Sequence, residues 1–134
     1  MDYRATSSLI SLRMKVKNIE WLLRIGVAGV FLGHGVLALK QNLAWVPFLT
    51  FWGISQDTAL DLMIVIGCVD MVVVLSALFR PNKYVLYYAA IWAFLTALMR
   101  PLTGATIWAF VERAGNWIAP LCLAILIRKD DLNS

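Results

Sequence analysis

"ALDLMIVIGCVDMVVVLSALF", residues 59 to 79, decides the fold. A predominantly apolar run of this length suits one purpose: a helix needs roughly 17–25 residues to cross about 30 Å of hydrocarbon. Its acids are Asp61, at the start, and Asp70, near the middle. Three similar stretches lie on either side, so the spans fall at about 21–39, 59–79, 84–100 and 107–127. The third, Tyr84 to Met99 with Arg100 at its end, is the shortest.

The whole chain shares this character. Of 134 residues, 61% are hydrophobic and 15% charged, with a mean hydropathy of +0.76. Soluble domains use roughly 45–50% apolar residues. The expected fold class is all-α, a four-helix transmembrane bundle over residues 21–128. A cytoplasmic N-terminal arm over 1–20 and a cytoplasmic tail over 129–134 flank it, with no room for a soluble domain. The first span follows Arg13, Lys15 and Lys17, as a signal peptide's apolar core would. It exceeds the usual core of about 7–15 residues and ends in "LALKQN" rather than a small-residue cleavage site. It is therefore read as a retained helix.

The net charge is +4 and the pI about 9.3, and the distribution explains both. Arg4, Arg13, Lys15 and Lys17 precede the first span, Arg80 and Lys83 separate the second from the third, and Arg128 and Lys129 follow the fourth. These segments share one side of a four-span protein, while the other side has Lys40 and Arg100 near its helix ends. The positive-inside rule then puts both termini in the cytoplasm. The lipid bilayer, including its anionic headgroups, is the expected partner. No nucleic-acid partner is expected, because no basic-aromatic motif is present.

Between the spans, Gln41 to Asp57 holds Trp45, Pro47, Phe48, Phe51, Trp52 and Gly53. Two readings stand: an aromatic belt at the outer interface, or a re-entrant lid over something between the helices. "RPNK" at 80–83 and "RPLTG" at 100–104 are tight turns, since proline cannot continue a helical ladder. The second, third and fourth spans should therefore pack antiparallel with their sequence neighbours. Gly26, Gly29, Gly33 and Gly35 line the first span, with Gly29 and Gly33 as a small-xxx-small pair. That pair permits close helix approach, inside the bundle or across a dimer. Cys68 and Cys122 fall inside spans without metal-ligand spacing and are read as small packing residues or as a redox pair.

Polar residues at depth carry the functional signal. With about 1.5 Å of rise per residue, His34, Glu112 and Arg113 lie roughly 8–9 Å inside the outer boundary and Asn116 near 14 Å. Asp70 is deeper, and Arg100 marks the outer end of the third span. A charge at the bilayer centre costs about 2.5 kcal/mol or more, so these groups should face each other rather than lipid. A carboxylate from Asp70 or Glu112 is expected to pair with Arg113 or Arg100, Gly115 to allow a close approach, and Arg113 to stack on Trp117. Asp61 points elsewhere and is left out, and Arg24 is expected to snorkel. The candidate ligand-binding or proton-handling set is His34, Asp70, Arg100, Glu112, Arg113, Asn116 and Trp117. It is equally readable as polar glue pinning four helices together. His34, the single histidine, suits a proton relay by its titration near neutrality, or is a hydrogen-bonded packing residue.

No intrinsic cofactor is evident. One histidine without a second ligand at zinc spacing makes no metal site, and a b-type haem would need Met63, Met71 or Met99 as an unusual second ligand. No nucleophile elbow or phosphate loop occurs, and inverted repeats of a transporter are not evident.

"LLRIGVAGVFLGHGVLAL" (22–39), "GCVDMVVVLSAL" (67–78) and "ERAGNWIAPLCL" (112–123) resemble the DoxX/DoxD-like four-helix integral membrane proteins. The likeness covers about residues 20 to 128. Many members carry Glu where Asp70 stands here, which shortens the reach. The resemblance implies a bacterial cytoplasmic (inner) membrane location and a quinone-associated subunit of a respiratory or sulfur-oxidising redox system. The implied ligand is a quinone, and the implied partner a larger membrane complex or a homo-oligomer. The alternative it leaves open is a non-catalytic accessory or assembly subunit, so whether the chain is an enzyme stays open too.

Overall fold

The computed structural model describes residues 2–133, the side chains of 129–133 excepted, so the expected tail and the charge of Lys129 fall outside the described side chains. The described residues are helical with no strand: α1 (Tyr3–Leu39), a 3-10 turn (Leu43–Trp45), α2 (Val46–Thr50), α3 (Gln56–Phe79), α4 (Lys83–Leu102), α5 (Trp108–Val111) and α6 (Ala114–Asn133). Helices α1, α3, α4 and the stretch Trp108–Arg128 are each long and apolar enough to cross a membrane.

Local chemistry sets the helix starts. The Ser55 side chain accepts from the Thr58 N–H ahead of α3, and Asn82 accepts from the Tyr84 N–H at 2.8 Å ahead of α4. Nothing interrupts the N-terminal arm: from Tyr3 to Ile25 there is neither glycine nor proline. Arm and first span are accordingly one helix of 37 residues, about 55 Å long. Every described side chain through Ile19 is exposed.

The helices do not all pair with their sequence neighbours. α1 packs along α3, α4 along α6, and α1 more lightly on α6, while the backbones of α3 and α4 come close at few positions. The expected antiparallel packing is therefore close for the third and fourth spans and loose for the second and third, which meet through the shared core. The reason is the crossing of α1 and α3. A Cβ on Gly67 would stand 2.6 Å from Leu39 Cγ and 3.0 Å from the Gly35 carbonyl oxygen, and one on Gly35 would meet Met71 Cε. Only glycine allows that approach, and it draws α3 onto α1. Gly26, Gly29 and Gly33 have nothing within 4 Å, so the close approach inside the bundle belongs to Gly35 and not to the Gly29/Gly33 pair.

The core fills one half of the bundle, near the turn at 80–82. Val27, Phe31, Val73, Leu86 and Leu123 interlock there with Ala77, Ala89, Ala93 and Ala124. At this end Arg24 does not snorkel. Its Nε donates to the Ala77 carbonyl at 2.8 Å and its Nη2 to that of Leu78, satisfying carbonyls that the last turn of α3 leaves without helical partners. Its guanidinium also lies 3.9 Å from the centre of the Trp21 ring. Cys68 and Cys122 are exposed and free, so neither packs inside the bundle and no bridge joins them.

Candidate functional site

The half of the bundle away from Arg24 encloses a cavity of about 350 Å³. α3 and α4 form its side walls, α1 contributes His34, α6 Asn116 and the α5–α6 junction Arg113, and the segment after α1 closes its end.

That closing segment is shaped by two left-handed residues, Gln41 (φ 51°) and Gly53 (φ 82°). Gln41 is held in this conformation by its own side chain, whose Nε2 donates to the Leu60 carbonyl at 3.1 Å. Between the two, the 3-10 turn and α2 lay Trp45, Phe48, Leu49 and Trp52 against the cavity. The lid reading of this segment matches its geometry. Trp52, 67% exposed, also presents a face outward as a belt residue would.

His34 is half-buried, with its ring edge-on to Trp45 at 5.7 Å and 75°. Asp70 is 2% exposed, and its Oδ1 has no hydrogen-bond partner. Arg100 has a buried Nε without a partner, and its guanidinium stands 5.2 Å from the Phe48 ring centre. No carboxylate lies within ion-pair distance of Arg100, and no base within that distance of Asp70, among the described residues. The expected carboxylate–guanidinium pairing occurs only between Glu112 and Arg113, at 2.5 Å and adjacent in sequence.

The fourth span corrects the expectation of a continuous helix. It breaks at Glu112 and Arg113 into α5 and α6. The Arg113 N–H bonds to Phe110 rather than to Ala109, tightening the turn. The Ala109 carbonyl freed by this shift accepts from Arg113 Nη1 at 2.7 Å. Glu112 is thereby carried out of the bundle, its side chain 65% exposed, and it does not line the cavity. Gly115 has open space around it and mediates no close approach.

Trp117 does not stack on Arg113. It meets Phe94 edge-on at 5.3 Å, packs against the core and keeps a buried indole N–H without a partner. The structure thus brings His34, Asp70, Arg100, Arg113 and Asn116 together at one cavity and places Glu112 and Trp117 outside it. Met63 and Met99 line the cavity as well, whereas Met71 lies at the helix crossing. Asp61 is exposed.

Sequence reasoning missed the contribution of α4, where Trp92, Thr96 and Met99 face the cavity beside Arg100. The available signal was spacing: residues 92, 96 and 99 recur at helical intervals. Trp92 is braced from behind by Tyr88, stacked at 6.3 Å and 9°. The chamber is mostly apolar and aromatic. Donors on His34, Arg100, Arg113 and Asn116 and a single carboxyl on Asp70 border it, an inventory suited to an oxygen-bearing head. No family model, no curated protein and no solved structure matches the chain.

Proposed function

We propose that the chain is a quinone-binding subunit of a membrane redox system, similar in kind to the DoxX/DoxD-like proteins its motifs resemble. It sits in a bacterial inner membrane with its basic ends in the cytoplasm and its cavity in the outer half. The observation that carries this reading is the pair of buried, unpartnered groups, Asp70 Oδ1 and Arg100 Nε, at one cavity. Leaving a buried polar group unsatisfied costs about 1–3 kcal/mol, and such a cost is retained where a ligand completes the hydrogen bonds. A quinone fits the donor inventory. Its carbonyl oxygens accept from Arg100 or His34, its ring lies among Trp45, Phe48 and Trp92, and the hydroxyl of its reduced form donates to Asp70. His34 and Asp70 are the groups placed to handle the protons of that reduction, and a partner subunit supplies the electrons.

A second reading has its own observation. Gly26, Gly29 and Gly33 form an outward face of α1 with nothing within 4 Å, a surface on which an accessory subunit docks a larger complex or a second copy.

Quinone content by mass spectrometry of the protein extracted gently from its own membrane tests the first reading. The expected result is near-stoichiometric quinone, lost in His34→Ala and Asp70→Asn variants that remain folded. A bare wild-type chain bound to a multisubunit complex refutes it in favour of the accessory role.

A further inference from the structure

We infer that the ligand reaches this cavity sideways from the bilayer, through a portal between α3 and α4, and carries a long apolar chain that stays in that portal while only its head is enclosed. The inference rests on the quinone reading and adds an access route and a chain requirement.

The seam between α3 and α4 is the weak side of the bundle. A turn of three residues, 80–82, joins these helices, yet their backbones come close at few positions, and the core they share lies at the end near that turn. Each is held from behind instead, α3 by α1 at the Gly35/Gly67 crossing and α4 by α6 through the core. Toward the lidded end the cavity lies between them, lined from α3 by Met63, Ile66 and Asp70 and from α4 by Trp92, Thr96 and Met99. Leu95 on α4 lines the cavity while 47% exposed, and Ile66 faces it from α3 while half-buried. The chamber wall is therefore continuous with the apolar outer surface at this seam.

Size separates head from chain. Pockets for small ligands run from roughly 300 to 1,000 Å³, so a cavity of about 350 Å³ has room for a substituted ring and lies at the small end of that range, and a long chain extends beyond it. The lidded end is not the favoured exit. There the edge contact of His34 with Trp45, the Arg100 guanidinium on Phe48 and the Gln41 hydrogen bond to Leu60 hold the closing segment over the opening. A rival route past the lid, between Trp52 and Leu102, would admit a head without a chain as readily as one with it.

The test loads the full chain in lipid nanodiscs with 2,3-dimethoxy-5-methyl-benzoquinone or with its 6-decyl derivative. Bound quinone is quantified by chromatography against empty discs, and each affinity is expressed per lipid so that partitioning cancels. The decyl compound is expected to bind at least about tenfold more tightly, and Leu95→Trp, which fills the seam, to remove that advantage. Ile66→Phe narrows the same seam from α3 and replaces Leu95→Trp if that variant does not fold. Affinities of the two compounds within about twofold of each other, or undiminished decyl binding in a folded seam variant, would overturn the portal while leaving the quinone site standing. If neither compound binds the wild type, the quinone reading fails and the portal with it.

Discussion

Two alanine substitutions on the spanning helices are expected to shift stability in opposite directions, and the structure supplies both signs. In a helix interior, Gly→Ala gains about 0.8–1.0 kcal/mol from backbone entropy. At Gly29 there is nothing within 4 Å of the added methyl, so Gly29→Ala keeps that gain. At Gly67 the same methyl lands 2.6 Å from Leu39 Cγ, 2.9 Å from Leu39 Cδ2 and 3.0 Å from the Gly35 carbonyl oxygen. Leu39 can swing aside; the Gly35 carbonyl cannot move without moving α1. Overpacking of this kind costs about 1–3 kcal/mol, and because backbone is involved the upper part of that range applies. Gly67→Ala is therefore expected to lose about 1–2 kcal/mol net.

Thermal melts followed by circular dichroism, run on both variants in the same detergent, give the comparison. Tm rises for Gly29→Ala and falls for Gly67→Ala. Quinone retention should follow the same division. Gly67 lies one turn from Asp70 and Gly35 is next to His34, so forcing α1 and α3 apart displaces two of the polar groups at the cavity. If Gly67→Ala melts at or above the wild type, the close crossing of α1 and α3 does not exist as described. The account of why α3 leaves α4 then falls as well.

Further outcomes follow from the remaining polar groups. Arg24→Met strands the Ala77 and Leu78 carbonyls and is expected to cost about 1.5–3 kcal/mol, the range for lost charge-assisted hydrogen bonds; a variant melting like the wild type would mean that Arg24 does not cap α3. Asp70→Leu replaces an unpartnered buried carboxyl with an apolar side chain and should raise Tm while abolishing quinone retention; a lowered Tm would reveal a structural partner for Asp70. Arg113→Met leaves the Ala109 carbonyl without its side-chain donor, so amide hydrogen exchange across Trp108–Val111 should quicken with little change elsewhere; unchanged exchange there would show that α5 does not depend on Arg113.

The four spans were readable because hydrocarbon thickness imposes a length and composition that a single chain cannot disguise. The partnerships among them were not. Gly29 and Gly33 present the familiar spacing and face outward, whereas Gly35 and Gly67, on different helices and far apart in sequence, make the contact. Spacing within one helix says which residues share a face and leaves open which face meets a neighbour. The candidate site was legible to a similar degree. The rule that buried charges avoid lipid picked out His34, Asp70 and Arg100, which do border the cavity. It also picked out Glu112, whose depth was reckoned along an unbroken helix. The break at Arg113 is made by tightened backbone bonds, Arg113 to Phe110 and Asn116 to Arg113, a choice that composition does not register.

That break also bears on what each cation is for. A guanidinium within a spanning helix meets two kinds of acceptor: backbone carbonyls released at a helix end, or something outside the fold. Arg24 spends its donors on the end of α3, and Arg113 on the Ala109 carbonyl at the α5–α6 junction and on Glu112. Both side chains are accounted for by the backbone they repair, even though Arg113 also borders the cavity. Arg100 has no such employment. Its last-turn position in α4 is shared with Pro101, the Thr103 hydroxyl and N–H already take up the Met99 and Arg100 carbonyls, and its Nε remains buried without a partner. The same holds in reverse for the acids: Glu112 is exposed and paired, whereas Asp70 is buried and unpaired. Polar character alone therefore overcounts the site. Removing the groups already satisfied by the fold concentrates the chemistry on Asp70, Arg100 and the His34 ring, and it is these three whose substitution should alter ligand binding more than stability.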